Sequence, residues 1–322
     1  MQDAEWFGEF LALLTEKMRA RDLLRVYRGN HAGYIRGLLH RSARGPDEGE
    51  TRERLFLFGV KARRYHTGGG QYPDARDYLS SVNDTSDEVL AFLFDRVAAA
   101  CVHPRRRSFV GMHCSTAFLT YFENASNRDH FVRVVGSLTG RSRLRVRDYY
   151  LYFAHTAGQP GVSAGSPLVS TSMRPDTGRQ FARGYQGRNL EPWVIHYFIP
   201  RPFENFAVLP WHSTNADDQV RSVGLPSPPL FGLFPAQQEV AVKGALLPHF
   251  IIGVRDLTSD QFVPNPHLFV NHGLVPDEIC EHGIPIDQSR FTDTIFDTGY
   301  GGFLEAERTG DFRDFSVADR SR

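Results

Sequence analysis

The sequence predicts an α+β fold. Helical periodicity dominates its first half, short β-rich runs dominate its second, and Pro- and Gly-containing loops separate those runs. No internal repeat or low-complexity tract interrupts this pattern.

Residues 4–20 place Trp6, Phe7, Phe10, Leu11, Leu13, Leu14 and Met18 at helical spacing, which predicts a short amphipathic opening helix. The apolar run Leu24 to Tyr27 predicts a strand that ends in a turn at Arg28-Gly29. Residues 41–54 and 66–74, rich in charge, Gly and Pro, predict surface loops. From Asp84 to Ala100 the helical signal is strongest. Several N-cap candidates precede the stripe Val89, Leu90, Phe92, Leu93 and Val97. Residues 113–138 predict a second helical segment, Val169 to Ser172 a strand, and Thr177 to Ala182 a helix anchored by Phe181. Val194–Ile199, Glu239–Val242 and Phe250–Val254 are the later strands. Residues 209–236 read as one long loop, and long ordered loops are disproportionately functional.

Composition narrows the class. With 322 residues, 41% of them hydrophobic and 25 of them Phe, the chain has material for one large or two modest cores, which excludes a disordered or collagen-like chain. The 37 basic residues balance the 37 acidic ones. That excludes a general polyanion binder but not a local patch. Residues 101–150 hold nine Arg against three acidic residues, and residues 256–322 hold 13 acidic residues against five Arg. The ordinary reading is two solvated faces. Cys101, Cys114 and Cys280 are scattered and odd in number, which predicts neither a disulfide framework nor a metal knuckle. The N-terminus lacks a basic, uninterrupted apolar leader, and no stretch approaches the roughly 20 apolar residues of a membrane span. The expectation is a cytoplasmic protein, or one delivered into a target cell without a cleavable signal peptide, with no membrane partner.

Three motifs fail on context. Gly161-Val162-Ser163-Ala164-Gly165 satisfies G-x-S-x-G, but no strong strand enters it and no helix leaves it, so an esterase centred on Ser163 is disfavoured. His103, His113 and Cys114 lack metal-ligand spacing, so no metal is expected. The glycine runs at 68–70 and 299–302 lack the flanking residues of a phosphate loop and read as turns.

A three-part pattern survives. Tyr27-Arg28-Gly29 offers a planar cationic fork for phosphate next to a residue without a side chain. In Val169-Ser170-Thr171-Ser172, strand alternation places Ser170 and Ser172 on one face, suited to a ribose or a carboxylate; the ordinary alternative is a strand end capping the next helix. In Gln237-Gln238-Glu239, the same alternation pairs Gln237 with Glu239. A carboxylate there can stabilise an oxocarbenium ion, the ordinary alternative being an exposed edge-strand Glu.

In this order the three parts resemble the R-S-E clade of mono-ADP-ribosyltransferases, the C3-like and related clostridial toxin enzymes. STSMRPDTGRQFARGY is similar to the family's strand-then-helix segment, and FPAQQEVAVKGALLPHFIIGV to its catalytic strand, turn and following strand. The resemblance covers about 165–256 and is thin over 20–60. The long spacing from Arg28 to Ser170 implies a helical insertion at about 50–150, or else that Arg36 is the matching arginine. The implied fold is a split β-sandwich core with helices early, a catalytic domain over 1–258 and an acidic C-terminal extension over 259–322.

The resemblance implies an enzyme moving ADP-ribose from NAD to a macromolecular acceptor. Arg28 would grip the NAD phosphates, and the Gly29 backbone would meet the nicotinamide. Ser170 would hold the ribose, with Thr171 and Ser172 supporting its strand, and Glu239 would stabilise the oxocarbenium ion. By position, Arg188 would touch phosphate and Tyr185 would stack. Gln237, where the arginine-specific branch carries Glu, implies an Asn or Gln side chain or a nucleic-acid base as acceptor, protein being favoured over RNA or DNA. Trp211 and Phe231 or Phe234 would contact it, and a cognate antitoxin or immunity protein is a further partner for such an enzyme. The alternatives are an NAD glycohydrolase with the same pocket and a non-catalytic binding module on the same scaffold.

Overall fold

The computed structural model describes residues 24–39, 48–61, 75–104, 107–157, 166–184, 187, 190–199, 202–209, 213–230, 233–234, 237 and 239–265. It is a mixed helical and antiparallel-sheet protein, in keeping with the α+β expectation. In chain order its elements are β1 (Leu24–His31), α1 (Ala32–Leu39), α2 (Glu48–Phe58), α3 (Ala75–Val82), α4 (Asp87–Val102), α5 (Arg107–His113), α6 (Thr116–Glu123), α7 (Asn127–Gly136) and α8 (Gly140–Ala157). They continue with β2 (Leu168–Ser172), α9 (Pro175–Arg183), β3 (Pro192–Ile199), α10 (Phe203–Phe206), β4 (Ala207–Val208), α11 (Ser213–Ser222), β5 (Glu239–Lys243), β6 (Ile251–Asp256) and β7 (Phe262–Pro264). Among the described residues no helix is long and apolar enough to cross a membrane. The predicted helix at 4–20, the loop at 66–74 and the C-terminal stretch beyond 265 lie outside the described residues.

The chain divides into two compact units at 79/80, 170/171, 206/207 and 244/245. The first unit carries the strand order β2-β1-β3-β6-β7. Its centre is the pair β1 and β3, antiparallel from Leu24↔Ile199 to His31↔Pro192. Arg28-Gly29 therefore lies inside a strand, opposite Ile195 and Val194, and not in the expected turn. The β-rich partner run 192–199 supplies ladder bonds past Tyr27, which local turn chemistry at Arg-Gly cannot reveal. Helix α9 packs on the Gly29 face so closely that a Cβ on Gly29 would sit 1.9 Å from the Gly178 carbonyl oxygen. Phe181, the expected anchor of α9, is 41% exposed; Thr177, Gly178 and Ala182 face inward instead. On the same sheet face His196 is buried, and Arg25 donates to its Nδ1 at 2.7 Å. Burial, with the charges of Arg25, Arg255 and Arg179 adding to it, holds this imidazole far below its ordinary range, so it stays neutral.

The predicted loop at 41–54 is helix from Glu48 onward, because α2 buries Thr51, Leu55 and Phe56 and so gains from tertiary packing what its charged composition lacks. The sheet also continues past the expected boundary at 258, since β7 pairs with β6 from Gly253↔Pro264 to Arg255↔Phe262.

The second unit is mainly helical, with the short strand set β4-β5 and the start of β2. The expected helix at 84–100 is α4, capped by Ser86, whose Oγ accepts from the Val89 N–H. The expected single segment 113–138 is broken. Ser115 caps α6 by accepting from the Phe118 N–H at 3.2 Å, and Asn124 Oδ1 accepts from the Ser126 N–H at 3.1 Å in the turn before α7. The Phe-rich composition serves this unit's core. Phe94, Phe118, Phe122, Phe131, Tyr150 and Phe153 interlock, with ring centroids such as Phe118–Phe122 at 4.8 Å and Phe131–Tyr150 at 5.1 Å.

Helix α8 organises the rest of the unit. Arg147 donates from Nε to Asp148 Oδ1 at 3.0 Å and from its guanidinium to the Val82 carbonyl at 2.8 Å. Lys243 on β5, 1% exposed, pairs with Asp148 Oδ2 at 2.7 Å and donates to Asn83 Oδ1 at 2.8 Å. The expected long loop 209–236 contains α11 and is pinned to α8. Tyr149 donates to the Pro228 carbonyl at 2.7 Å and Tyr150 to the Pro226 carbonyl at 2.8 Å. Phe234 stacks on Phe109 at 5.6 Å, so it anchors the segment. Of the nine arginines in 101–150, Arg107, Arg128, Arg143 and Arg147 bond within the unit.

Candidate active site

Glu239 opens β5, which lies between β4 and β2 and is not an edge strand. Its side chain is buried. Such a carboxylate needs donors, and the second unit provides three. Tyr152 donates its hydroxyl to Oε2 at 3.3 Å, His155 Nε2 lies 3.1 Å from Oε1, and the Ser170 hydroxyl bonds the same carboxylate. Burial alone would raise this carboxyl's pKa. The hydrogen bond and charge of His155, with the Ser170 and Tyr152 bonds, outweigh burial and bring it below the ordinary value, so Glu239 is ionised at neutral pH. Burial and the neighbouring carboxylate push the Tyr152 phenol up, which keeps it a donor.

The bonding pattern assigns the protons. An ionised carboxylate only accepts, so His155 Nε2 must carry a proton toward Oε1. Ser170 Oγ lies 2.9 Å from the same nitrogen and directs its own proton to the carboxylate. His155 Nδ1 faces Ser166 Oγ at 2.7 Å, and that oxygen also accepts from the Leu168 N–H at 3.2 Å. The chain Ser166, His155, Glu239 is thus fully satisfied, with Ser170 exposed at its edge.

Two of the site residues read from the sequence, Glu239 and Ser170, meet in this cluster. Gln237 does not share the strand with Glu239. It precedes β5 in a turn, half-buried, its N–H donating to the Phe234 carbonyl at 3.1 Å, so strand alternation does not reach it. Thr171 and Ser172 are buried in the first unit, where Ser172 Oγ accepts from the Arg174 N–H at 3.0 Å and shapes the turn into α9. Arg28 is half-buried on β1. The register Tyr27↔Ser172 puts Ser172 on the face of Tyr27 and Gly29, and Arg28 on the opposite face with Thr171. Arg36, on α1, pairs with Glu191 at 3.5 Å. Tyr185, Arg188, Trp211, Phe231 and the Gly161–Gly165 motif lie outside the described residues.

Tyr152, His155 and Ser166 escape the sequence reading. Tyr and His three residues apart share a helix face, a usable signal had the helical pattern been followed beyond residue 138. Among the described residues no group of three or more His, Cys, Asp or Glu side chains could hold a metal ion. Cys101 and Cys114 pack in or against the aromatic core, where burial pushes both thiols up to about 12, which makes them poor nucleophiles. Comparison of the chain with protein-family models, with curated proteins and with solved structures finds no match.

Proposed function

We propose that the chain is a mono-ADP-ribosyltransferase that uses NAD as substrate and Glu239 as its catalytic carboxylate. The observation carrying this reading is a buried, ionised Glu239 held beside Ser170 by three hydrogen-bond donors, the state that stabilisation of an oxocarbenium ion requires. In the reaction, the bond from ribose C1′ to the nicotinamide nitrogen breaks and its electron pair leaves with nicotinamide. Glu239 balances the positive charge developing on the ribose, Ser170 holds the sugar, and an acceptor nucleophile closes the new bond to C1′. Gln237, in the turn before the catalytic strand, is the acceptor-sensing residue, favouring an Asn or Gln side chain or a base over arginine.

The test is incubation of the chain with adenylate-labelled NAD and a cell lysate, followed by protease and nuclease treatment. Label carried on protein or nucleic acid, lost in Glu239→Gln, is the expected outcome. Free ADP-ribose alone would make the protein an NAD glycohydrolase, and wild-type turnover in Glu239→Gln would overturn the assignment of Glu239.

A further inference from the structure

Helix α8 holds both oxygens of one carboxylate. Tyr152 and His155, three residues apart and therefore on one helix face, address Oε2 and Oε1 of Glu239 respectively. Tyr152 brings a neutral hydroxyl. His155 brings a ring whose second nitrogen is itself committed, to Ser166 at 2.7 Å. A glutamate side chain turns freely about its last torsion, so two donors on a rigid helix fix the carboxylate plane in a way that one donor does not.

We infer that His155 is the positioning residue of Glu239, with Ser166 holding the ring so that the Nε2 proton points at the carboxylate. The inference rests on the reading of Glu239 as the group acting on the ribose. Ser166 Oγ, fixed by accepting from the Leu168 N–H, bonds Nδ1 at 2.7 Å and holds the ring so that Nε2 faces the carboxylate. Without the imidazole, the carboxylate loses one of its three donors and burial works against the charged form. The carboxylate then spends less time both ionised and correctly turned. The loss falls on the chemical step, because NAD binding need not involve His155.

The experiment uses the full chain and the variants His155→Ala, His155→Gln and Ser166→Ala, with two readouts. The first is kcat and KM for nicotinamide release from NAD. The second is the titration of the Glu239 carboxyl followed by carbon NMR without NAD. The expected result for His155→Ala is a kcat lower by about 10- to 100-fold with KM within about threefold, and a Glu239 titration moved upward. His155→Gln, whose amide N–H reaches the place of Nε2–H, restores most of kcat and the low titration. Ser166→Ala falls between them.

Wild-type kcat and an unmoved Glu239 titration in His155→Ala overturn the inference, as does a Gln variant no better than Ala in both readouts. If His155→Ala does not fold, the Gln variant decides: an unmoved titration supports the assignment and a raised one refutes it. A wild-type chain that releases no nicotinamide defeats the proposed reaction, while the titration still decides the role of His155.

Discussion

Replacing Gly29 by alanine separates two reasons for a glycine at that position. A ligand-approach role leaves the fold intact and raises KM for NAD, whereas a packing role destabilises the first unit. The added Cβ would lie 1.9 Å from the Gly178 carbonyl oxygen, 2.4 Å from the Ala182 nitrogen and 2.9 Å from the Phe181 Cβ. Ordinary contact begins at 3.4 Å, so α9 must retreat by 3.4 − 1.9 = 1.5 Å along that direction. Overpacking against backbone, which cannot rotate away, sits at the upper end of the usual range, about 3 kcal/mol. The smaller entropy of the unfolded alanine chain offsets about 0.5–1 kcal/mol of that. The net loss of about 2 kcal/mol lowers Tm by about 4–8 °C. Thermal unfolding followed by circular dichroism measures it, with Gly37→Ala as the control. Gly37 is in α1 with nothing within 4 Å of an added Cβ, so alanine there gains about 0.5–1 kcal/mol of helix propensity. A Gly29→Ala protein with unchanged Tm and a raised KM would refute the packing argument.

Lys243→Met leaves the buried Asp148 Oδ2 and the half-buried Asn83 Oδ1 without their shared cation and costs about 3–5 kcal/mol, measured by urea unfolding; a cost under about 1 kcal/mol would mean that the remaining Arg147 contact suffices. The Glu239 carboxyl has its folded-state pKa depressed, so its contribution to stability is complete above the ordinary carboxylate value near 4.3 and fades as pH falls through the lower folded value. The Tm difference between wild type and Glu239→Gln should therefore be constant above about pH 5 and move against wild type in more acidic buffer, whereas a difference independent of pH between about 3 and 7 contradicts the assignment. Gln237→Ala should lose transfer to acceptor while keeping NAD hydrolysis, which chromatography of labelled products resolves; parallel loss of both removes Gln237 from acceptor recognition.

Strongly periodic segments were legible in the sequence. Leu90, Leu93 and Val97 of the expected α4 stripe are buried, though Phe92 is exposed, and the runs that became β3, β5 and β6 carry their own patterns, because side chains three to four or two apart meet the same surroundings. Glu239 and Ser170 were legible as well, through short motifs at the starts and ends of strands. Elsewhere, local chemistry misled. Arg28-Gly29 looks like a turn, yet the ladder to β3 carries β1 on to His31. The charged run before Arg54 looks like a loop, yet burial of Leu55 and Phe56 makes it helical.

The sequence by itself determined the α+β class, the approximate places of those strands and Glu239 as the candidate carboxylate. Only the tertiary structure decided what surrounds that carboxylate. Tyr152 and His155 come from a helix more than 80 residues earlier in the chain, with separations of 87 and 84 residues from Glu239. No periodicity records a contact of that span, since it exists only once α8 and β5 pack together. The same holds for Lys243, one of three lysines in the chain, which is the buried partner of Asp148 in the fold. Which charges are desolvated, and by what they are paired, is a property of packing between distant segments.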